Sequence, residues 1–262
     1  MIKLKYIAIC CSLLFCFESY GKEIPKPDEG GFVSTLNSYG WSSIYPDPIS
    51  VEFLDFIKNS TQPALDIGAT YGYIAKLALE NGSSIIINDI EKKHLELAFD
   101  YIPKHLHKNL QMKVGKFPDD LNFPPNSLKA VLARRVLHFL SGRELEIGAK
   151  KLHDWLVPGG KVFVLASTPY RKHLSQFLVE YEKKKLEVKY PGEVQDIRKI
   201  ENSEDYSNLP LFFHYLDADI LSRVFEQAGF KIEKAIYINI EEMPEFMKLD
   251  GRENVGLVAK KI

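Results

Sequence analysis

The 262-residue chain has three cysteines, Cys10, Cys11 and Cys16, all within its first sixteen positions. Beyond Gly21 there is no thiol, so disulfides and cysteine chemistry have no part in what that stretch folds into or does. Metal-binding patterns are lacking as well: the seven histidines are scattered, and neither H-E-x-x-H nor a paired-cysteine motif occurs. No charge excess exists, with 34 basic residues against 35 acidic ones, so nothing draws the whole molecule toward nucleic acid or anionic lipid. The uncharged run from Tyr6 to Phe17 is too short to cross a bilayer, since twelve residues at about 1.5 Å each fall well short of a core about 30 Å thick. Lys3 and Lys5 precede that run and Ser19-Tyr20-Gly21 follows it. This is the layout of an export signal cut after Gly21, giving a periplasmic or secreted protein. The alternative is a membrane-associated chain facing the cytoplasm.

Residues 22–50 are rich in Pro, Gly and Ser and carry Tyr39, Trp41 and Tyr45, which reads as a linker turning into an aromatic N-terminal cover. Residues 51–262 read as one domain. A short helix is expected over Val51–Lys58. Strands at 63–67, 84–88, 110–114, 128–133 and 160–166 then alternate with helices near 72–81, 91–99 and 142–156. Such alternation predicts an α/β fold, doubly wound around a mostly parallel sheet. Residues 170–213 break the rhythm with a charged helix, HLSQFLVEYEKKKLEVK, and an irregular loop, and are expected to act as a lid or substrate element. A helix over Asp217–Gln227 and strands over Phe230–Asn239 and Asn254–Lys260 complete the chain.

The stretch A-L-D-I-G-A-T-Y-G-Y at 64–73 carries the chemistry. Gly68 and Gly72 permit a tight turn and close approach of backbone to a ligand, and Asp66 ends the first strand, where open α/β sheets bind ligands. The spacing is G-x-x-x-G with Thr70 between, whereas a dinucleotide fingerprint needs G-x-G-x-x-G. Asp89 ends the second apolar run, S-I-I-I-N-D, where an acid can accept ribose hydroxyls.

On these residues the sequence resembles the class I S-adenosylmethionine-dependent methyltransferases over nearly all of 37–262. A-L-D-I-G-A-T-Y-G-Y is similar to their first motif, I-I-I-N-D-I to their second, F-P-P-N-S-L-K-A-V-L-A-R-R-V-L-H-F-L to their fourth strand, and L-H-D-W-L-V-P-G-G-K-V-F-V-L to the turn into the fifth. The resemblance implies a seven-stranded sheet with its last strand antiparallel, S-adenosyl-L-methionine as cofactor, and methyl transfer to a small or medium-sized acceptor by in-line displacement. It implies cofactor contacts at Asp66, Gly68, Ala69, Gly72, Asp89, Ile90, Phe117 and Arg134, with Asp66 toward the methionine amine and Asp89 toward the ribose. Thr70 departs from the family's middle glycine, and Lys116 stands near a place where members often carry an acid. Three alternatives stay open: a degenerate fold that binds without turnover, a nicotinamide-dependent oxidoreductase, and a methyltransferase of nucleic acid or protein.

Other residues are weighed against plain packing roles. Tyr71 and Tyr73 are able to place a ring near a sulfonium or merely to pack the helix start. Arg134 and Arg135 leave a buried strand together, and either is suited to a substrate carboxylate or phosphate. No catalytic base is assigned; His138, Arg134 and His214 are the candidates. Asp217 and Asp219 read as helix-start acids. The run at 183–189 is interleaved with glutamate and reads as a solvated helix, so no nucleic-acid partner is expected and the oligomeric state is open.

Overall fold

The computed structural model describes residues 23–200 and 209–262. The proposed signal segment with its three cysteines, and residues 201–208 of the inserted loop, lie outside the described residues.

A small hairpin comes first, β1 (Phe32–Ser34) paired antiparallel with β2 (Trp41–Ser43). Helix α1 (Pro48–Ile57) follows. It begins three residues before the predicted Val51 because Asp47 caps it, accepting from the Ile49 and Ser50 amides, with proline in the first turn. Next come β3 (Ala64–Ile67), α2 (Tyr73–Glu80), β4 (Ile85–Asp89), α3 (Lys92–Tyr101), β5 (Leu110–Val114), β6 (Leu128–Arg134) and α4 (Gly142–Trp155). After them run β7 (Leu156–Ser167), α5 (Ser175–Lys184), β8 (Glu193–Val194), β9 (Phe213–His214), α6 (Ala218–Gln227), β10 (Phe230–Ile238) and β11 (Asn254–Lys261). The charged helix stops at Lys184 instead of running to Lys189, and the residues beyond it turn. β7 starts four residues earlier than predicted, because Leu156 pairs with Leu128 across a register shift that takes in the Pro-Gly-Gly turn.

Seven strands form one sheet in the order β10-β11-β7-β6-β3-β4-β5. All neighbours from β7 to β5 are parallel, and the last strand, β11, is antiparallel to both β7 and β10. The sheet is the doubly wound arrangement that the alternation of strands and helices predicts, with the seven strands and antiparallel last strand that the resemblance implies. Period-two side chains divide its two faces. Leu65, Val131, Val162, Val164 and Leu257 pack with α4 and α6 on one side. Ala64, Leu132, Phe163, Leu165 and Val258 pack with α1, α2 and α3 on the other. The order of connection reverses at β3, whose neighbours are β4 on one side and β6 on the other. That reversal opens a crevice at the carboxyl ends of β3 and β6, where ligands enter sheets of this kind.

Candidate cofactor and acceptor site

The crevice is a cleft of about 400 Å³ lined by the β3–α2 loop, the ends of β4 and β6, and the β1–β2 hairpin. Gly68 and Gly72 take left-handed backbone at φ +70° and +73°. A β-carbon on Gly68 would stand 2.3 Å from the Val136 methyl Cγ2. Gly68→Ala is therefore expected to lower unfolding free energy by about 2–4 kcal/mol, from left-handed strain plus overpacking. Urea denaturation checks it, and a loss under about 1 kcal/mol would mean that Val136 simply moves aside.

Thr70 also has positive φ, 46°, an outlier for a β-branched residue. It occupies a left-handed site where glycine would be unstrained. Two bonds hold it there, Thr70 Oγ1 to Ser42 Oγ at 2.8 Å and Thr70 N to Asp89 Oδ2 at 3.0 Å.

The two acids differ. Asp66 is buried on the cleft wall, and among the described residues its carboxyl forms no hydrogen bond or ion pair. Burial pushes its pKa up to about 7, with Arg134 opposing the rise and Asp89 and Asp47 adding to it. Asp89 is engaged on three sides. Its Oδ1 accepts from the Glu91 amide at 2.9 Å and meets His94 Nδ1 at 3.0 Å, while Oδ2 takes the Thr70 amide. The Leu36 amide donates to His94 Nε2 at 2.9 Å, so the ring proton sits on Nδ1 and is donated to Asp89. With two lone pairs per oxygen, Asp89 keeps one on Oδ2 for a hydroxyl, not the pair expected for two. His94 was not among the expected site residues; its only sequence signal is a place five residues beyond the strand-end acid.

The N-terminal cover is a hairpin bolted onto the site. Tyr71 donates its hydroxyl to the Ser34 carbonyl at 2.7 Å, and His94 and Thr70 reach Leu36 and Ser42. Arg134 pairs through Nε with Asp47 at 2.9 Å and donates to the Tyr45 carbonyl at 2.9 Å and the Ser43 carbonyl at 3.3 Å. Arg134 thus lines the cleft but spends its charge on the hairpin and the α1 cap. Arg135 turns the other way, at φ 59°, onto the wall of a second pocket of about 300 Å³. Tyr39, Trp41, Arg135 and Phe139 line both cavities and form the boundary between them.

Residues 64–160, which contain the loop, both acids and the β6 arginines, match the family described as methyltransferase domain. Over that span the chain carries a methyltransferase domain. Solved structures agree in fold. An S-adenosylmethionine-dependent methyltransferase of Methanosarcina mazei superposes with a TM-score of 0.61 at 17% identity, over 82% of this chain and 98% of its own. One from Mesorhizobium loti gives 0.60 at 18% identity, over 81% and 98%. A geranyl diphosphate methyltransferase solved with S-adenosylmethionine gives 0.57 at 11%, over 81% and 84%. No curated protein matches the chain.

The methyltransferase domain brings most of the expected residues to one place. Asp66, Gly68, Ala69, Asp89, Ile90, Phe117 and Arg134 all line the cleft, Ile90 exposed and Phe117 mostly buried, edge-on to Trp155. Gly72 supports the loop from behind, its α-carbon facing Ala98. Tyr73 lines the cleft, whereas Tyr71 is wholly buried against Val33 and Leu97 and is a packing residue. Lys116, on the same wall, pairs with Glu144 at 2.7 Å, an acid that also closes the capping box of α4. Of the candidates for a base, His138 is buried on the second pocket and stacked on Phe213, centroids 4.5 Å apart. His214 lines neither cavity: it is fully buried, with Nδ1 on the Leu140 carbonyl at 2.9 Å, because β9 pairs with β8 and turns the ring inward. Tyr215 is likewise core. In the run at 183–189, Lys184 pairs with Glu180 and Lys189 with Glu146 at the surface, while Lys185 reaches buried Asp217 and exposed Asp219. Asp217 caps α6 through the Ile220 amide.

Proposed function

We propose that the protein transfers a methyl group from S-adenosylmethionine to a small or medium-sized acceptor. The observation that carries this reading is the pair of adjoining cavities: a cleft at the sheet's switch point, and a second pocket reached across Arg135, Tyr39, Trp41 and Phe139. The residues of the cleft fit the cofactor. Asp66 is an unpaired acid suited to an ammonium, Asp89 retains one acceptor site for a hydroxyl, and Gly68 leaves open backbone.

When bound, the cofactor supplies an electrophilic methyl on a sulfonium. The chain's part is to align an acceptor lone pair with it and to keep water out, and such alignment is worth about 7–11 kcal/mol of barrier. Tyr39 and Trp41 of the hairpin, with Pro210 and Phe212 of the 170–213 insertion, supply the apolar walls for that exclusion. Burial holds the pKa of His138 well below the usual histidine value, and the Arg171, Arg135 and His214 charges press the same way. Its ring is therefore uncharged at neutral pH, a hydrogen-bond acceptor for a hydroxyl or amine and a weak base. A second reading, binding without turnover, has one observation in its favour: three N–H groups already occupy Asp89 and leave it a single acceptor site.

Calorimetric titration of the purified chain with S-adenosylhomocysteine tests the proposal. Micromolar binding that Asp89→Ala weakens by roughly tenfold, the loss of about one hydrogen bond, is the expected result. No heat of binding in a folded sample would remove the methyltransferase reading.

A further inference from the structure

The second pocket holds two arginine head groups that no acid neutralises among the described residues. Arg135 leaves β6 with its amide bonded to the Leu165 carbonyl at 2.7 Å. Among the described residues its guanidinium has no hydrogen bond or ion pair; it lies over the Phe32 ring, 5.5 Å from the centroid. Arg171, 8% exposed, donates Nη2 to Ser167 Oγ at 2.8 Å and Nε to the Glu253 carbonyl at 3.4 Å, both uncharged partners. Of the nearby acids, none among the described residues forms an ion pair with either guanidinium, and Glu253 Oε2 is buried without a hydrogen-bond partner. Asp47 pairs with Arg134, and Glu253 Oε1 accepts three backbone amides, those of Leu249, Asp250 and Gly251. Asp28, at the pocket's rim, has its Oδ1 on the Phe32 amide at 2.7 Å. Two further buried polar atoms on this wall lack a partner, His138 Nδ1 and Asn254 Oδ1. The remaining wall is apolar, with Phe32, Phe139, Phe213, Met243, Phe246 and Met247.

Arg171 is almost wholly out of water and Arg135 is half-buried, and a guanidinium desolvated without an anion is unfavourable. Arginine does not escape that cost by losing its proton under ordinary conditions, so the favourable remedy is an incoming oxyanion, to which the guanidinium fork binds with two parallel hydrogen bonds. Burial, with the neighbouring charges of Arg134 and Arg171, lowers the Arg135 pKa to about 9, although Asp47 opposes it, which is the same shortage of negative charge seen in the contacts. An aromatic and thioether wall fits a flat or flexible apolar body.

We propose that this second pocket is the acceptor site and takes a small molecule with a carboxylate head and an apolar body, the carboxylate held at the Arg135 and Arg171 end. The assignment as acceptor site rests on the methyltransferase reading above; the anion pocket itself does not.

The full chain, saturated with S-adenosylhomocysteine, is titrated with cinnamate, indole-3-acetate and octanoate, with their primary amides, and with phenyl phosphate. At least one carboxylate is expected to bind at least tenfold more tightly than its amide, and Arg135→Met to lose at least tenfold of that affinity while Arg135→Lys loses less. Without ligand, Arg135→Met is expected to raise the thermal midpoint by about 2–4 °C, since truncation removes a charge that lacks a partner. A merely structural arginine would lower it. Equal binding of acids and amides, absence of binding by all three carboxylates, or an unchanged affinity in Arg135→Met overturns the proposal; tighter binding of phenyl phosphate than of any carboxylate overturns the carboxylate class. Arginine-dependent carboxylate binding in a chain that fails to bind S-adenosylhomocysteine leaves an anion pocket standing and removes its role as acceptor site.

Discussion

Asp66→Asn is expected to weaken S-adenosylhomocysteine by roughly thirtyfold or more, the effect of truncating one side of a buried charge pair worth about 2–5 kcal/mol. The same change is expected to stabilise the unliganded protein at pH 8. Asp66 has a folded pKa of about 7 against 3.8 for an unperturbed aspartate. Because the folded value is raised, the group's favourable contribution is complete below pH 3.8 and is lost as pH rises through about 7. Above that, ionised Asp66 costs about three pKa units at 1.36 kcal/mol each, on the order of 4 kcal/mol. A buried amide lacking partners takes back about 1–3 kcal/mol of this, leaving asparagine ahead by about 1–3 kcal/mol. Affinity of the parent protein follows the fraction ionised and should fall about tenfold between pH 8 and pH 6, since the ligand's ammonium keeps its proton over that range. Calorimetry at four or five pH values, with urea unfolding of both proteins, provides the check. A flat affinity profile together with a destabilised Asp66→Asn would show that Asp66 is an ordinary ionised aspartate.

Arg134→Met is expected to destabilise the protein by about 3–5 kcal/mol, a fall of about 6–20 °C in thermal midpoint, because it strands a buried carboxylate. The side chains of Arg134 and Asp47 are 10% and 5% exposed, so solvent screens the pair little. The guanidinium also ties the Ser43 and Tyr45 carbonyls to the end of β6, so its loss frees the hairpin that walls the cleft. Among the described residues Arg134 is the one cation holding the Asp66 pKa down, and its removal should move the pH dependence of cofactor affinity upward. Adding Asp47→Asn should recover part of the stability, since asparagine still caps α1 but carries no charge to strand. A loss under about 1 kcal/mol in the single variant would place the pair among ordinary surface bridges.

How much of this was readable from the chain depended on the range of the interaction. The turn at 64–73, the strand-end acids and the Pro-Gly-Gly entry to β7 are local patterns, each set by dihedral demands and side-chain period within a few residues. They therefore survive in one dimension, and seven of the eight expected cofactor contacts do line one cleft. Helix ends were misplaced where a tertiary partner or cap decided them, as Asp47 does for α1. The roles of Arg134 and Arg135 were not separable in sequence. Adjacent and chemically identical, they differ in place: Arg134 lines the cleft alone, whereas Arg135, on left-handed backbone, also lines the second pocket. His214 looked reachable in a loop-rich segment, and strand pairing between Glu193 and His214 buried it.

The sequence by itself thus determined the class of fold, the glycine turn after β3 and the places of the two strand-end acids, because each follows from periodicity and from the conformations glycine and its neighbours permit. Only the tertiary structure decided what those acids have left to offer, through contacts across long stretches of chain: His94 with Leu36, Arg134 with Asp47, Thr70 with Ser42. It also decided that Arg135 and Arg171, 36 residues apart, share one pocket, since burial and charge balance are properties of a neighbourhood in space that no local pattern encodes.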